Sequence, residues 1–129
     1  MATEQVLKVI SLKAAADLRT KQFFLVAVDS SGNVVLGAAK TDEVAGILQN
    51  APNTGEAAAV AIEGVSKCVM GAAQAVGTQV GSDANGRGTA ITIAAGGTTY
   101  HYRSGVSLTA SAAANGIAEV LLKPGPLLV

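Results

Sequence analysis

The sequence predicts an all-β protein, a small β-barrel or β-sandwich with two similar hairpin halves and at most one short helix. Short stretches rich in Val, Ile and aromatic residues alternate with Gly, Pro, Asn and Asp turns at intervals of roughly 8 to 12 residues, which is typical of such folds. With 129 residues the chain fits one compact domain. We expect this single domain over residues 22–123, with residues 1–21 as an N-terminal arm or first strand and residues 124–129 as a C-terminal tail.

The second observation is a pattern that occurs twice. It consists of an Asp-x-x-Gly turn, a glycine before a β-branched residue, and a glycine near the start of a small-residue apolar run. The copies begin at Asp29, Gly46 and Gly55, and at Asp83, Gly105 and Gly116. The offsets of 54, 59 and 61 residues between matching positions are unequal, which excludes a solenoid of equal units. The pattern instead predicts two similar halves of one barrel or sandwich.

The first half reads as four strands. Residues 6–12 are β-prone, whereas residues 14–18 are also compatible with a helical turn, so this segment stays open. Residues 22–28 and 33–36 flank an Asp-Ser-Ser-Gly turn and predict a hairpin. Residues 44–49 predict a strand and residues 50–55 a loop. Residues 57–63 predict the return strand, because Val60 and Ile62 alternate and glycines bound the run.

The second half is less regular. Residues 65–69 continue extended, and residues 70–76 are the best helix candidate, limited by a glycine at each side. Residues 80–88 predict a glycine-rich turn. Residues 90–93 and 98–103 flank Gly96 and Gly97 and predict a second hairpin. A last strand is expected at 117–123, where Pro124 and Pro126 should stop further pairing.

Composition narrows the classes of function. Nine basic and nine acidic residues cancel, so we expect no nucleic-acid partner and no binding to an anionic membrane. Residues 1–21 carry four basic and two acidic side chains, and residues 29–63 carry one basic and five acidic ones. These are either solvated faces of opposite sign or complementary contacts between copies. Alanine dominates the apolar residues, and such a weak core favours oligomerisation or docking on a larger surface.

The sequence contains no signal peptide pattern and no apolar run of about 20 residues, so we expect neither secretion nor membrane insertion. The single cysteine, Cys68, excludes an internal disulfide framework and fits a reducing compartment, or a virus assembled there. It is expected to be a small buried apolar residue.

No motif for chemistry is complete. Residues 81–88 lack the Gly-Lys-Ser/Thr of a phosphate loop, and the early glycines lack the Gly-x-Gly-x-x-Gly spacing. His101 is the only histidine, which removes His-rich metal sites. Asp42 and Glu43 are adjacent; on a strand they would point apart and in a loop they would be solvated, so neither arrangement suits a pair of carboxylates for acid–base work. We therefore expect no catalytic residue, no metal, no cofactor and no small-molecule substrate; the protein is not expected to be an enzyme.

One strand combines aromatic and polar residues in alternation. Period-two geometry places Tyr100 and Tyr102 on one face, and His101 and Arg103 on the other. The favoured interpretation is that the tyrosines point inward and the polar face is wet. The alternative is a contact surface, because Tyr and Arg are enriched at interfaces.

The order of these features resembles the family of small phage capsid cement, or decoration, proteins. The similarity covers roughly residues 22–123 and is carried by four segments: 29–35 (DSSGNVV), 42–48 (DEVAGIL), 54–64 (TGEAAAVAIEG) and 77–87 (GTQVGSDANGR). The resemblance implies a β-rich virion protein, made in the host cytoplasm. It would bind the major capsid protein on the outer surface of the head, often as a homotrimer, and bridge capsomers without catalysis.

Candidate interface residues come from the N-terminus, from Phe23 or Phe24 if either points outward, and from the strand of Tyr100, Tyr102 and Arg103 under the contact-surface alternative. They are Met1, Ala2, Thr3, Glu4, Gln5, Val6, Leu7, Lys8, Val9, Phe23, Phe24, Tyr100, Tyr102 and Arg103. Two alternatives to capsid decoration stay open. One is another virion structural subunit, such as a tail-tube or head-completion protein. The other is a β-barrel that binds a small ligand.

Overall fold

The computed structural model describes residues 4–93 and 95–129. In this part of the chain all regular elements are strands, as the sequence predicts. The nine strands are β1 (Gln5–Lys13), β2 (Leu25–Val28), β3 (Val34–Leu36), β4 (Val44–Leu48), β5 (Ala57–Val69), β6 (Gln79–Ser82), β7 (Gly88–Ala90), β8 (Tyr100–Ser107) and β9 (Ile117–Leu128). Within residues 1–21 the structure has the strand β1.

The strands form one curled antiparallel sheet, a half-barrel, with the order β3-β2-β4-β5-β9-β8-β6-β7 and with β1 paired to β5. The order reads the same from either end. β3, β2, β4 and β5 of the first half correspond to β7, β6, β8 and β9 of the second, and the halves join where β5 pairs with β9. The sequence pattern that occurs twice therefore corresponds to a duplicated unit of four strands.

Equivalent hydrogen bonds confirm the duplication. In each hairpin the turn Asp accepts backbone N–H groups two and four residues further on. The distances are 2.9 Å and 2.9 Å for Asp29, and 2.8 Å and 2.9 Å for Asp83. Each turn closes with a glycine in the left-handed region, Gly32 at φ 80° and Gly86 at φ 77°. This turn chemistry is what the Asp-x-x-Gly pattern predicts.

The equivalence extends to a strained position. The Phe23 N–H donates to the Leu48 carbonyl at 2.7 Å, and the Gly77 N–H donates to the Ser107 carbonyl at 2.8 Å. Phe23 has φ 68° and Gly77 has φ 81°. A left-handed φ costs a bulky residue about 1–2 kcal/mol and a glycine almost nothing. The first half therefore retains a phenylalanine where the second half has the unstrained residue.

One predicted match is shifted by a residue. The structural counterpart of Gly55 is Asn115, not Gly116. Both adopt positive φ, 82° and 65°, and their N–H groups donate to Ala14 and Met70 at 2.9 Å and 2.8 Å. Asn tolerates this conformation better than most residues, so the turn survives without a second glycine.

The predicted helix at 70–76 is wrong. The first helical bond would join the Gln74 N–H to the Met70 carbonyl. The Gln74 N–H instead donates to the Ser111 carbonyl at 2.9 Å, and the Met70 carbonyl accepts from the Asn115 N–H at 2.8 Å. Both groups are thus paired with another segment and cannot begin a helical ladder. Tertiary pairing thus overrides the helix propensity of the alanines.

The predicted hairpin between 90–93 and 98–103 is also wrong. β7 pairs with β6, and β8 lies between β6 and β9. The Asp83 turn already joins β6 to β7, as the Asp29 turn joins β2 to β3. Gly96 and Gly97 therefore lie in a longer connection to β8.

Pro124 and Pro126 do not stop pairing, because β9 continues to Leu128. The N–H and C=O of Val129 both bond Thr99, the residue before β8, at 2.7 Å and 3.1 Å. At this end of β9 the backbone N–H and C=O groups of the odd-numbered residues therefore face β8. The nitrogens of Pro124 and Pro126, which carry no hydrogen, face the opposite edge of the strand. Proline is tolerated at such an edge and blocks the addition of a further strand.

The core consists of two clusters. One contains Leu25, Ile47, Met70 and Val120 where the halves meet, and the other lies within the first half around Leu48. Cys68 belongs to the first cluster and is fully buried, as expected, and desolvation raises the pKa of its thiol to about 12.

Candidate docking surfaces

Five of the N-terminal candidates, residues 5–9, lie on β1, and the exposed Glu4 directly precedes it. Leu7 and Val9 point outward and are 77% and 48% exposed, whereas Val6 packs against the core. Lys8 lies opposite Glu63 in the β1–β5 register, so some of the opposite charge in the sequence meets within one chain. Met1, Ala2 and Thr3 lie outside the described residues.

The two tyrosine candidates and Arg103 lie on a two-stranded ribbon formed by residues 99–103 and 125–129. Tyr100 is directly opposite Leu128, and Tyr102 is directly opposite Pro126, so their side chains share a face. Tyr100 is 56% exposed and Leu128 is 47% exposed. The first half has no such ribbon, because the connection from β3 to β4 is shorter than that from β7 to β8. The ribbon is therefore an addition to the duplicated unit.

The polar face of the ribbon is the more enclosed one. His101 Nδ1 is buried and makes no hydrogen bond. Arg103 donates to the Gln79 side chain at 2.7 Å and to the Lys123 carbonyl at 3.1 Å. The favoured expectation of inward tyrosines and a wet polar face is therefore wrong for Tyr100 and His101. Arg103 is held by the sheet instead of extending into solvent.

Phe23 and Phe24 are both half-buried. Phe23 packs against the core where the halves meet, and the Lys67 ammonium lies 5.5 Å from its ring centroid. The Lys21 ammonium lies 5.0 Å from the ring centroid of Phe24. Cation–π contacts of this kind cover an aromatic face without removing it from the surface.

Sequence reasoning missed a third surface, which we call the uncharged end. It consists of residues 71–78 and 107–117, which are joined by a bridge between Gln74 and Ser111. It exposes Val76, Leu108 and Ile117 to 63%, 42% and 44%. The available signal was the absence of Asp, Glu, Lys and Arg from residues 68–82 and 104–118.

Little in the described residues resembles a reaction centre. An open pocket of about 460 Å³ is lined by Val28, Glu43, Val44, Ala45 and Pro124. Among residues 4–93 and 95–129 no three His, Cys, Asp or Glu side chains lie close enough to share a metal ion. The same residues include no helix that could cross a membrane.

Comparison with known proteins identifies the family. A family model described as Phage cement protein matches residues 3–123. The chain belongs to the phage cement protein family. A search of curated proteins found no match. The family match spans both halves of the duplicated unit, from β1 to residue 123 within β9.

Family membership makes this cement protein a structural component of the phage virion that associates with the capsid. The resemblance stated from the order of turns and strands is thereby confirmed. It began at residue 22, whereas the family match begins at residue 3 and takes in the first strand.

Proposed function

We propose that this cement protein binds the outer surface of the assembled phage head and stabilises it mechanically, without catalysis. The observation that carries the proposal is the family match over residues 3–123. In this function the protein contacts the major capsid protein, associates with its own copies as a trimer, and bridges neighbouring capsomers.

Two surfaces suit contact with the shell. The ribbon presents Tyr100 and Leu128, and β1 presents Leu7 and Val9, each half-exposed or more. Isolated apolar residues on a surface need no explanation, but cross-strand neighbours form a patch. Tyrosine is enriched among the residues that dominate binding energy. The prolines of β9 block strand addition at its outer edge, so we assign contact to the face of the ribbon.

A trimer makes modest contacts sufficient. Each copy contributes the same small patch, and binding of the first raises the effective concentration of the others. Mechanical reinforcement then requires only that the copies of one trimer contact different capsomers. Phe23, Phe24, Tyr102 and Arg103 support these surfaces from half-buried positions.

Cosedimentation with heads that lack the protein tests this function. We expect saturable binding of the parent protein. Tyr100→Ser with Leu128→Ser should weaken it at least tenfold, because the lost burial of two half-exposed apolar side chains is worth about 1.4 kcal/mol or more. Leu7→Ser with Val9→Ser tests β1 in the same way. Val28→Ser is the matched control, since Val28 is 43% exposed and belongs to neither surface.

Failure of the parent protein to sediment with heads would overturn the proposed function. Binding of both double variants with parental affinity would overturn the assignment of the two surfaces. Circular dichroism of each variant before sedimentation separates a lost contact from a lost fold.

A further inference from the structure

The duplicated halves permit a comparison of two equivalent ends of the molecule. The counterpart of the uncharged end consists of residues 15–24 and 48–57, which we call the charged end. The Leu18 N–H donates to the Pro52 carbonyl at 2.8 Å, and the Gln74 N–H donates to the Ser111 carbonyl at 2.9 Å. The two ends therefore share this backbone pairing, although the first segment of the charged end is two residues longer than its counterpart and the second is one residue shorter.

The first difference is charge. The charged end carries four ionisable side chains: Asp17, Arg19, Lys21 and Glu56. The Arg19 guanidinium donates two hydrogen bonds to the Asp17 carboxylate, at 2.8 Å and 2.9 Å, and lowers the pKa of Asp17 to about 2. The side chains of this end are therefore suited to contact with water. The uncharged end, which has the same backbone pairing, has no Asp, Glu, Lys or Arg.

The second difference is an inversion of polarity. In the first half Leu48 is fully buried, and the next residue, Gln49, is half-buried and donates to the Ser66 hydroxyl at 2.8 Å. The equivalent pair in the second half is Ser107 and Leu108. Ser107 is fully buried and Leu108 is 42% exposed. The second half thus encloses the polar side chain and presents the apolar one.

The exposed apolar residues of the uncharged end are neighbours. The Leu108 N–H donates to the Glu119 carbonyl at 2.8 Å, which places Leu108 diagonally across from Ile117 on one face of the sheet. The hydrogen bond from Gly77 to Ser107 brings Val76 beside the same segment. The counterparts of these three apolar residues in the first half are Gln22, Gln49 and Ala57.

The second half has less apolar side chain at its outer end. Its positions equivalent to Leu18 and Leu48, which are both buried, hold Gln74 and Ser107. The position equivalent to Val34 holds Gly88, but there Met70, the counterpart of Ala14, fills the space that a side chain would take. Each replacement that is not compensated removes apolar area from the interior at about 25 cal/mol per Å². Covering the outer end would restore some of that stabilisation.

We propose that the uncharged end is the surface through which copies of this protein bind one another. Residues that lie on a rotation axis meet their own copies, so a charged side chain there would face like charge. Residues 71–78 and 107–117 include no charged side chain and have an apolar centre; their charged neighbours are Glu119, opposite Leu108, and Arg87, which donates to Asn115 at 3.1 Å. The charged end carries four ionisable side chains within its own segments. The number of residues in the two segments of the uncharged end is close to the roughly 20 residues at the lower end of the range for one side of a standard interface. This inference deepens the self-association in the proposed function.

Light scattering coupled to size exclusion tests the surface with a matched pair of variants. Ala72→Glu with Val76→Glu adds two negative charges to the uncharged end. Ala16→Glu with Gln22→Glu adds the same charge at the equivalent positions of the charged end. All four residues are exposed, so each variant should fold, which circular dichroism checks. We expect an oligomer for the parent and the charged-end variant, and a monomer for the uncharged-end variant.

A parental oligomer in the uncharged-end variant would overturn the inference, as would a monomeric parent at all concentrations, or equal dissociation of both variants. Sedimentation with heads is measured separately on the parent. If the parent binds heads but the variant Ala72→Glu with Val76→Glu remains an oligomer, the proposed function is upheld and the uncharged end is not the surface between copies. An oligomer broken only by that variant, with no binding of the parent to heads, would uphold the surface and refute capsid binding.

Discussion

Gly46 and Gly105 occupy equivalent positions in the duplicated unit, and replacing either with alanine should damage the half it belongs to. Gly46 pairs with Val26, and Gly105 pairs with Val80. A Cβ on Gly46 would overlap the Ala61 carbonyl oxygen, and one on Gly105 would overlap the Leu121 carbonyl oxygen. Both obstacles are backbone atoms, which cannot rotate away as a side chain can.

The cost follows from that geometry. Relief requires the neighbouring strand to move, and forcing extra atoms into a packed site typically costs 1–3 kcal/mol, with more expected where backbone must shift. We expect about 3 kcal/mol for each variant, against a total free energy of unfolding of about 5–15 kcal/mol. For a domain of this size such a loss lowers Tm by roughly 10 °C or more.

Calorimetry of Gly46→Ala and Gly105→Ala measures the effect. Gly125→Ala is the control, because a Cβ there meets no atom within 4 Å, and we expect its Tm to stay within about 2 °C of the parent. If the Tm of both test variants stays within about 2 °C of that of the parent, the close contact of each glycine with the carbonyl oxygen of the neighbouring strand is refuted. A loss in only one would refute the equivalence of the halves.

Three further predictions concern individual side chains. Asp29→Ala removes two hydrogen bonds from a turn and should lower the free energy of unfolding, measured in urea, by about 1–2 kcal/mol. Asp83→Ala should lower it further, because Asp83 also contacts Arg87 at 3.2 Å. A larger loss for Asp29→Ala would contradict the turn geometry. Cys68 should resist iodoacetamide at pH 8 until denaturant is added, and prompt labelling of native protein would contradict its burial. Since the unfolded thiol ionises near pH 9.0 and the buried one near 12, stability should fall between these values, and Cys68→Ala should abolish that fall. Pro124→Thr with Pro126→Thr should leave Tm nearly unchanged but increase light scattering at high concentration; unchanged scattering would show that the prolines do not protect the edge.

Local chemistry in the sequence predicts the two Asp-x-x-Gly turns well. Asp29 and Asp83 each cap a turn with their own carboxylate, so four residues suffice to specify it. The glycines at 46 and 105 likewise mark the close approach of two strands. Such features depend on neighbours in sequence, which is why the duplicated halves and the all-β class are visible without a structure.

The errors arise where distant partners decide. Residues 70–76 have helical propensity, but the Gln74 N–H donates to Ser111 and the Met70 carbonyl accepts from Asn115, a competition that local propensity does not register. The pairing of β8 with β6 and β9 has the same origin. The prolines of β9 mislead because the sequence does not show which edge of the strand each nitrogen faces.

The candidate surfaces are predicted less completely. Tyr100 is identified by residue type, whereas its exposure depends on a ribbon that the sequence did not predict. The uncharged end escapes notice because Ser107 and Leu108 look unremarkable until they are compared with Leu48 and Gln49. Only the structural equivalence of the halves shows that polar and apolar positions are exchanged.

Cryo-electron microscopy of heads lacking the protein, incubated with the purified chain, tests capsid binding most directly. We predict added density on the outer surface, with the nine-stranded half-barrel fitting it, and the uncharged ends of neighbouring copies meeting around a symmetry axis. Heads that remain bare at saturating protein, or density confined to the head interior or the tail, would contradict a cement protein of the outer capsid surface.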